Sequence, residues 1–431
     1  MRRLSVSVIV LAASCAPFAR AAHAQDVVRL SLREAERRAI EMNPQVQAGH
    51  YAALAAGEVV RETRSAFMPT VLGSFTGAGA QDGTRIAAGG LNNPTILDRF
   101  ASGFSVSQLV TDFGRTRSLV AAQSLKSDAL RQDEASRRAD AVLQVDGAYF
   151  AALRARAILR VARQTVDARQ LVVDQITALA QSSLKSGLDV SFARVNLGQA
   201  QLLLAQAQSD VESADAALTA ALGSSQPATY ELTDEPMPPL PAESEAALVA
   251  EALRDRPDVA ARRFADQAAS RFAAAERALW TPSVSIVGAA GFTPFHQIGL
   301  TDRYSAVGVN VTVPLTNGNL FQARRAEAAF REQAEAQGLR DLENRVARDV
   351  TVAWLQARTA WQRVELTDQL LAQASDALDL AQGRYDLGLS SIVELTQAQL
   401  NKTQAEIEQA TARYEYQLRH AALRFEIGAT K

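Results

Sequence analysis

The sequence contains few of the residues from which enzymes and metal proteins build their sites. Among its 431 residues there are one cysteine, Cys15, and four histidines, which lie far apart in the chain. No His-Glu-x-x-His pattern and no cysteine pair occurs, so a zinc site or a disulfide framework has no sequence support. We therefore predict no catalytic residues, no cofactor and no metal site.

A strong charge imbalance and a long hydrophobic segment are also missing. The 45 lysines and arginines are balanced by 47 aspartates and glutamates, which leaves a formal net charge of −2. Proteins that bind nucleic acid usually carry a large positive excess, so we predict no nucleic-acid partner. Beyond the N-terminal segment no run approaches the ~20 apolar residues that a transmembrane helix needs.

The N-terminus has the composition of a secretory signal peptide. Two arginines follow the initiator, 4–13 is apolar, and Ala-His-Ala at 22–24 is a cleavage site of the small-residue type. We expect residues 1–24 to be removed on export, together with Cys15. A lipoprotein anchor on Cys15 is the alternative, which Ala12 disfavours because a lipobox prefers leucine there.

Two long helices that meet at one tight turn dominate the first half of the chain. Residues 117–182 contain no proline, and 183–188 (SLKSGL) form the turn. The returning helix has the 3-4 spacing of a coiled-coil seam, in which one position is large and the other is alanine. The seam residues are Leu197, Ala200, Leu204, Ala207, Val211, Ala214, Leu218 and Ala221. At ~1.5 Å per residue the first helix is ~100 Å long, too long for an ordinary globular domain.

Four segments of about ten residues alternate between apolar and polar side chains, which predicts β-strands. Short helices precede the first and third segments. In each case an X-Pro step divides the short helices, at Asn43-Pro44 and Arg256-Pro257. The predicted strands are 69–79, 100–110, 283–292 and 304–315.

The order helix, strand, strand, long helix, turn, long helix occurs twice, which indicates an internal duplication. The interval from Asn43 to Arg256 is the same as that from Pro69 to Pro282. We matched the two turns through Gly187 and Gly388, at a somewhat shorter interval. The predicted organisation is a single domain at 25–431 with repeat 1 at 25–223, a proline-rich linker at 224–243 and repeat 2 at 244–431.

Alternating strands of about ten residues are typical of lipid-exposed barrel strands. Four of them cannot close a barrel, and open sheet edges are not tolerated in lipid, so several chains must share one barrel. The fold class predicted from the residues is an α+β membrane protein in which long antiparallel coiled-coil helices continue into that barrel.

The duplicated order, the two X-Pro pairs, the strand entries at Pro69 and Pro282 and the glycine-leucine turns together resemble the TolC family of outer-membrane efflux channels. The resemblance covers nearly the whole mature chain. It implies a homotrimer with a twelve-stranded barrel in outer-membrane lipid and a helical tunnel crossing the periplasm of a Gram-negative cell. It also implies that the linker lies in an equatorial belt around the helices.

The function that this resemblance implies is that of a passive exit duct in a tripartite efflux or secretion system. A periplasmic adaptor (membrane fusion) protein and an inner-membrane pump would be its partners, and drugs or cations its cargo. The alternative is a non-transporting periplasmic coiled-coil tether, which would explain the heptads but not the four strands.

Acidic residues just past the second turn line the periplasmic gate in this family. Glu394 and Gln397 stand six and nine positions after Gly388, so only one acid is present here. Their first-repeat equivalents, counted from Gly187, are the uncharged Ala193 and Asn196. Three copies of Glu394 would form a cation-selective ring. The alternative for Glu394 is an ordinary solvated helix surface.

The resemblance assigns roles to further residues near the turns. Tyr385 would join the gate's hydrogen bonds and Arg194 would be its salt-bridge partner, unless the first packs in the core and the second is a plain surface arginine. The turns themselves would dock the adaptor, although a glycine there also serves to turn the chain. The docking residues are Lys185, Gly187, Leu188, Leu387, Gly388, Leu389 and Ser390.

Overall fold

A computed structural model describes most of the chain. The described residues are 28–78, 87–88, 91–92, 99–182, 185–226, 228–294 and 301–429. The predicted signal peptide at 1–24, most of the loop between the first two strands, and Ser183 and Leu184 of the first turn lie outside them.

The helices form two series of equal lengths. In the described residues there are eight α-helices, of 11, 21, 67 and 35 residues and then again of 11, 21, 67 and 35. They are α1 (Leu32–Met42), α2 (Pro44–Arg64), α3 (Arg115–Gln181), α4 (Gly187–Ala221), α5 (Glu245–Asp255), α6 (Pro257–Arg277), α7 (Leu320–Asp386) and α8 (Ile392–Glu426). The predicted long helices are therefore confirmed, whereas the first predicted turn, at 183–188, lies partly outside the described residues and overlaps the start of α4.

Sequence signals account for the short helices at the N-terminus. Ser31 precedes α1, and its Oγ accepts a hydrogen bond from the Glu34 N–H at 3.4 Å, as expected of an N-cap. Asn43 ends α1 and caps α2, because its Oδ1 accepts from Gln45 N–H at 2.9 Å and Pro44 occupies the first helical position. The predicted break at Asn43-Pro44 is confirmed.

The ends of α4 and α8 pack against these breaks. Gly223 and Gly428 follow the two helices in the left-handed conformation, with φ of +79° and +77°. A Cβ on Gly223 would lie 2.8 Å from the Met42 carbonyl oxygen, and one on Gly428 would lie 3.1 Å from the Arg256 nitrogen. Glycine is required at both joints for its conformation and for the close approach of the neighbouring backbone.

The strands of the described residues form one four-stranded antiparallel sheet and two small pairs. The sheet has the order β2-β5-β7-β8, β1 pairs with β6 in parallel, and β3 pairs with β4. The strands are β1 (Val28–Leu30), β2 (Thr70–Ala78), β3 (Ala87–Ala88), β4 (Leu91–Asn92), β5 (Arg99–Thr111), β6 (Tyr230–Leu232), β7 (Ser283–Phe292) and β8 (Arg303–Thr312). The four predicted strands are confirmed, except that β8 ends at Thr312 and not at Leu315. Pro314 cannot donate to a ladder, which accounts for the early end.

The sheet has one apolar and one polar face. Val309 lies opposite Ile286 and Val311 opposite Val284, whereas Asn310 lies opposite Ser285 on the other face. The register shifts in β5 between Leu109 and Thr111, next to the start of α3. All of β8 is exposed in the single chain.

The hydrophobic core lies among the helices. Helix α3 packs along α2, α4, α6 and α8. Tyr149 of α3 is fully buried, and its hydroxyl lies 3.0 Å from the Leu30 and 2.7 Å from the Thr233 carbonyl oxygen, which ties the β1-β6 pair to the helix. Along α4 the seam alanines Ala200 and Ala207 are buried, and Ala214 and Ala221 are partly buried.

Part of the predicted linker is ordered against the helices of both halves. Tyr230 belongs to the core around α3 and α4. Met237 and Leu240 pack on the cluster formed by α7 and α8. The Glu235 carbonyl accepts a hydrogen bond from Gln417 Nε2 at 2.9 Å. The linker therefore runs across the helices and does not hang free.

Candidate functional site

The first helix tip, where α3 turns into α4, is closed by a reciprocal capping box. Ser186 Oγ accepts from Asp189 N–H at 3.2 Å, and the Asp189 carboxylate accepts from Ser186 N–H at 3.1 Å. Gly187 is the first residue of α4, and a Cβ there would meet nothing within 4 Å. Gly187 is not among the residues with positive φ, so the expectation that it turns the chain is wrong.

The second tip, between α7 and α8, does depend on its glycine. Gly388 has a φ of +73°, and the N–H groups of Gly388 and Leu389 donate to the carbonyls of Tyr385 and Arg384 at 3.0 and 2.8 Å. These two bonds close the end of α7 in the manner of a Schellman motif. Ser391 then caps α8, with Oγ accepting from Glu394 N–H at 3.4 Å.

The helix starts give a register for the two tips that differs from the sequence-based one. The interval between the first residues of α3 and α7, Arg115 and Leu320, equals the interval between the caps Ser186 and Ser391. The interval between Gly187 and Gly388 is shorter by about one helical turn, so counting from these two glycines misaligns the tips. The position equivalent to Glu394 is the acidic Asp189, and the predicted equivalence with Ala193 is wrong.

Glu394 pairs with Arg384 and not with Arg194. Arg384 Nε lies 3.2 Å from Glu394 Oε1, and the two side chains are 57% and 46% exposed. Arg194 is exposed, and it contacts no carboxylate within the described part of the chain. Within one chain the partner of Glu394 is Arg384, because the last turn of α7 faces the first turn of α8 across the tip. A role of Arg194 in the gate stays a prediction.

Tyr385 packs in a buried cluster near the second tip. It lies with Ile176, Ile392 and Leu395, so side chains from both halves meet there. Its hydroxyl is buried and has no hydrogen-bond partner among the described residues, and the same holds for Ser390 Oγ. The Lys185 ammonium lies 4.1 Å from the centre of the Tyr385 ring, a cation–π distance that joins the first tip to the second.

Large apolar side chains at the tips are exposed. Leu188, Leu387 and Leu389 keep roughly two thirds or more of their surface in solvent, at 64%, 75% and 68%. Gln397 is also exposed and donates to Asn401 Oδ1 at 2.8 Å along α8. The tips therefore present an apolar end, with a polar helix face behind it.

The contact between α3 and α8 behind the tips is polar, which sequence reasoning missed. Arg169 is buried, its guanidinium donates to Gln399 Oε1, and burial lowers its pKa. Thr165 and Thr403 hydroxyls lie 3.5 Å apart in the same contact. No local pattern marks these residues, because the two partners of each pair stand in opposite halves of the chain.

A buried acid lies midway along α3, where α1 packs on it. Asp146 is 2% exposed and its Oδ1 has no hydrogen-bond partner among the described residues. Burial raises the pKa of Asp146 to about 8, and the neighbouring Glu36 carboxylate adds to the rise while Arg424 opposes it. Burial beside a second acid therefore favours the protonated form of Asp146.

Two further features, a membrane-crossing helix and a cluster of metal ligands, are absent from the described ranges. None of the helices there combines the length and the apolar composition of a membrane-crossing helix. Nor do three or more histidine, cysteine, aspartate or glutamate side chains within those ranges come close enough together to hold a metal ion.

Solved structures with this fold are outer-membrane channels. The outer membrane channel CmeC of Campylobacter jejuni superposes with a TM-score of 0.80 at 16% identity, over 93% of this chain and 86% of that chain. The MtrE outer membrane channel of Neisseria gonorrhoeae, in its open state, gives 0.77 at 20% identity, over 92% and 88%. The fold of this chain is therefore the one that these two channels have.

Sequence comparison identifies the family. A family model described as outer membrane efflux protein matches residues 36–224 and 248–429. The toluene efflux pump outer membrane protein TtgF of Pseudomonas putida is 28% identical over 359 residues, 79% of this chain and 71% of the relative. The outer membrane efflux protein BepC of Brucella suis is 24% identical over 355 residues, 79% and 73%. The chain belongs to the outer membrane efflux protein family, and its location is the outer membrane.

Proposed function

We propose that three copies of this chain form a passive duct from the periplasm to the outside of the cell. The observation that carries the proposal is the four-stranded sheet β2-β5-β7-β8. Its edge strands β2 and β8 each have one pairing partner in the described part of the chain, which leaves one side of each open. Pairing β8 of one copy with β2 of the next would close twelve strands into a barrel and remove every edge.

The helices supply the length that such a duct needs. Helices α3 and α7 have 67 residues each, so each is ~100 Å long at ~1.5 Å per residue. They start directly after β5 and β8, so the same chains that form the barrel would continue as a tunnel toward the inner membrane. The equal helix lengths in the two halves support an internal duplication, with repeat 1 at 25–223, a linker at 224–243 and repeat 2 at 244–431.

The polar face of the sheet would line the duct. Val309 and Val311 lie on the apolar face and would contact lipid, whereas Asn310 and Thr312 would face the lumen. A hollow of about 480 Å³ lies against this face and is lined by Ser105, Val287 and Ala306, among others, so polar and apolar groups share its wall. A concave face that carries the polar side chains of the sheet, opposite a more apolar face, suits a barrel wall whose inside holds water.

The two helix tips would dock a periplasmic adaptor protein. The exposed leucines Leu188, Leu387 and Leu389 form an apolar surface at the tips. Contact of such a surface with water is unfavourable, so a protein that covers it would bind there. The docking surface would consist of Lys185, Gly187, Leu188, Leu387, Gly388, Leu389 and Ser390. The adaptor would couple the duct to an inner-membrane pump, which supplies the energy.

The gate would lie just behind the tips. Glu394 and Gln397 are exposed on α8 and would face the lumen, where three copies approach one another. The Arg384 partner would hold Glu394 in place, and Tyr385 would anchor the α7 end through its buried cluster. Arg194 stays a candidate gate residue only as an exposed positive charge on α4.

Organic compounds are the proposed cargo, and the chain itself would have no enzyme activity. The support is the similarity to relatives named for toluene and for antibiotic efflux. A cation duct is the second candidate, supported by the exposed Glu394 carboxylate, of which three copies would form a negatively charged ring. Expression in a strain that lacks its own outer-membrane efflux protein should restore tolerance to toluene or antibiotics but not to metal salts. Restored tolerance to metal salts alone would favour the cation duct.

Two arginine variants test the duct directly. Val311→Arg places a charge on the proposed lipid face and should reduce assembly in the outer membrane, at a cost of ~2–4 kcal/mol near the midplane. Thr312→Arg, at the next position along, should assemble almost normally because its side chain faces water. Equal defects would refute the register, since a shift by one position reverses both faces. A periplasmic tether, unlike a barrel, would wash off membranes at high salt or pH.

The tip variants need a matched control. Leu387→Asp with Leu389→Asp should abolish cross-linking to the adaptor while the trimer remains in the membrane. Leu366→Asp, also at an exposed leucine of α7 but several helical turns before the tip, should leave cross-linking intact. Unchanged cross-linking in the tip variant would contradict the docking role.

A further inference from the structure

Tyr304 lies flat on the sheet at the end farthest from the helices. It stands opposite Gly291 on β7, and Gly291 stands opposite Gly103 on β5. A Cβ on Gly291 would lie 2.5 Å from Tyr304 Cζ, and a Cβ on either glycine would overlap the Tyr304 hydroxyl oxygen. The ring therefore crosses β7, and its hydroxyl end reaches β5.

This position exists only because both neighbours are glycines. Side chains on a strand normally stand roughly perpendicular to the sheet. Glycine inside a strand is unfavourable, and it marks a place where another group approaches the backbone closely. An aromatic ring laid over such glycines covers the exposed backbone. Gly103 and Gly291 thus leave a shallow groove on the sheet, and the Tyr304 ring lies in it.

The ring lies on the face that would line the duct. Tyr304 is on the same side of β8 as Ala306, Asn310 and Thr312, because successive side chains of a strand alternate. Ala306, two positions further along β8, lines the hollow described above. A tyrosine that stood upright here would project into the lumen near its outer mouth.

We infer that Gly103 and Gly291 keep the outer mouth wide by holding the Tyr304 ring against the wall, out of the path of cargo at the exit. The inference rests on the proposed function, because the ring meets cargo only if this face lines a duct. With three copies, three rings would narrow the mouth at one level if they were released.

Conductance and size exclusion of the purified trimer in planar bilayers test this inference, with uncharged polyethylene glycols of graded size as probes. Gly103→Ala is the preferred variant, because a Cβ on Gly291 would also overlap the Ser102 carbonyl oxygen. It should lower conductance and exclude smaller glycols than the unmodified protein does. Gly308→Ala is the matched control, on the same face, where a Cβ would meet only Val287 Cγ2 at 3.9 Å. It should change neither quantity.

The double variant separates the ring from the backbone. A Cβ on Gly103 would also lie 2.9 Å from the Ala290 carbonyl oxygen, so some distortion of the sheet is expected. If the ring causes the narrowing, Gly103→Ala with Tyr304→Ala should recover the conductance of Tyr304→Ala alone. A loss that persists in the double variant would overturn the inference.

Tyr304→Ala alone gives an independent reading if Gly103→Ala does not assemble. Because the ring already lies on the wall, its removal should leave conductance and the glycol limit nearly unchanged, as should Tyr304→Phe. A clear rise with Tyr304→Ala would show that the ring stands in the lumen and would overturn the inference. An unmodified protein that forms no trimer and conducts no ions would instead refute the proposed function.

Discussion

The two halves of the molecule have helices of the same lengths but use their acids differently. At the first tip Asp189 binds the backbone of its own cap at Ser186. At the second tip the equivalent Glu394 is one methylene longer and pairs with Arg384 of the preceding helix. The Asp189 carboxylate is therefore hydrogen-bonded to its own cap, while the Glu394 carboxylate pairs with a side chain of the preceding helix.

The same contrast occurs where the short helices pack on the long ones. Asp146 of α3 lies near Glu36 of α1, so two acids share one buried contact. In the second half the equivalent residue, counted from the start of α7, is Thr351, whose hydroxyl donates to Glu245 of α5 at 2.7 Å. A shared helix framework thus tolerates different polar chemistry, provided that each buried group finds a proton or a partner.

The largest expected effect on stability comes from replacing Asp146, the buried acid of α3. The folded chain keeps the Asp146 proton up to about pH 8, whereas an unfolded chain releases it near the ordinary pKa of 3.8. The folded state then binds more protons, so stability falls as the pH rises from about 4 to about 8. Asp146→Asn keeps a donor for Glu36, and we expect it to stabilise the protein by about 1–3 kcal/mol at pH 8.

Thermal midpoints of the detergent-solubilised protein at pH 5 and pH 8 check this prediction. The gain from Asp146→Asn should be much larger at pH 8. Thr351→Val, at the equivalent position, should lower the midpoint by a similar amount at both values, since it removes only a hydroxyl. An equal gain from Asp146→Asn at both pH values would mean that Asp146 is ionised throughout the range.

The second prediction contrasts the tip glycines. Gly388→Ala forces a side chain into the left-handed region and should cost about 1–2 kcal/mol at the second tip. Gly187→Ala lies at an ordinary helix start with open space around it, and should be neutral or stabilise by up to about 1 kcal/mol. Limited proteolysis at the two tips measures the difference. Equal sensitivity in both variants would restore the sequence-based view that the two glycines are equivalent.

The third prediction compares the caps. Ser186→Ala removes the two hydrogen bonds that Oγ makes with Asp189, keeps the backbone half of the capping box, and should cost about 1 kcal/mol. Ser391→Ala removes one longer hydrogen bond and should cost less. Amide hydrogen exchange over the first turns of α4 and α8 reports each loss locally. A larger increase in exchange at α8 would show that Ser391 stabilises its helix start more than the length of its hydrogen bond indicates.

The smallest effect on stability, under about 1 kcal/mol, is expected for the exposed Arg384–Glu394 pair. Its variants should instead change ion selectivity in single-channel recordings. Glu394→Gln should lower the preference for cations, and Arg384→Gln should raise it by freeing the carboxylate. Arg194→Gln is the control and should do neither. A change with Arg194→Gln as large as that with Arg384→Gln would favour the partner expected from the sequence.

The sequence predicted elements well wherever a pattern extended over many residues. The long helices α3 and α7 and the alternating strands follow from periodicity, and Asn43-Pro44 marks a break by local chemistry alone. The tip register failed because two glycines looked alike although only Gly388 needs a positive φ. The Ser-x-x-Asp and Ser-x-x-Glu patterns that begin at Ser186 and Ser391 carried the correct signal.

Contacts between distant segments were beyond sequence reasoning. Arg169 and Gln399 are brought together by the packing of α3 on α8, and neither has a distinctive neighbourhood in the chain. The Arg384–Glu394 pair is close in sequence, yet it depends on the angle at which the chain reverses. Single-sequence patterns describe one element at a time, so they give no access to such angles.

The glycine joints at Gly223 and Gly428 fix a length as well as a shape. From each joint to its tip the chain has a helix of 35 residues, about 50 Å at ~1.5 Å per residue. Deleting one residue from α8 would draw its tip back by ~1.5 Å and turn it by roughly 100° relative to α7. The distance from each glycine joint to its tip is therefore fixed by the number of residues in the helix between them. A natural insertion or deletion in one helix of a hairpin should be accompanied by one of equal length in the other helix.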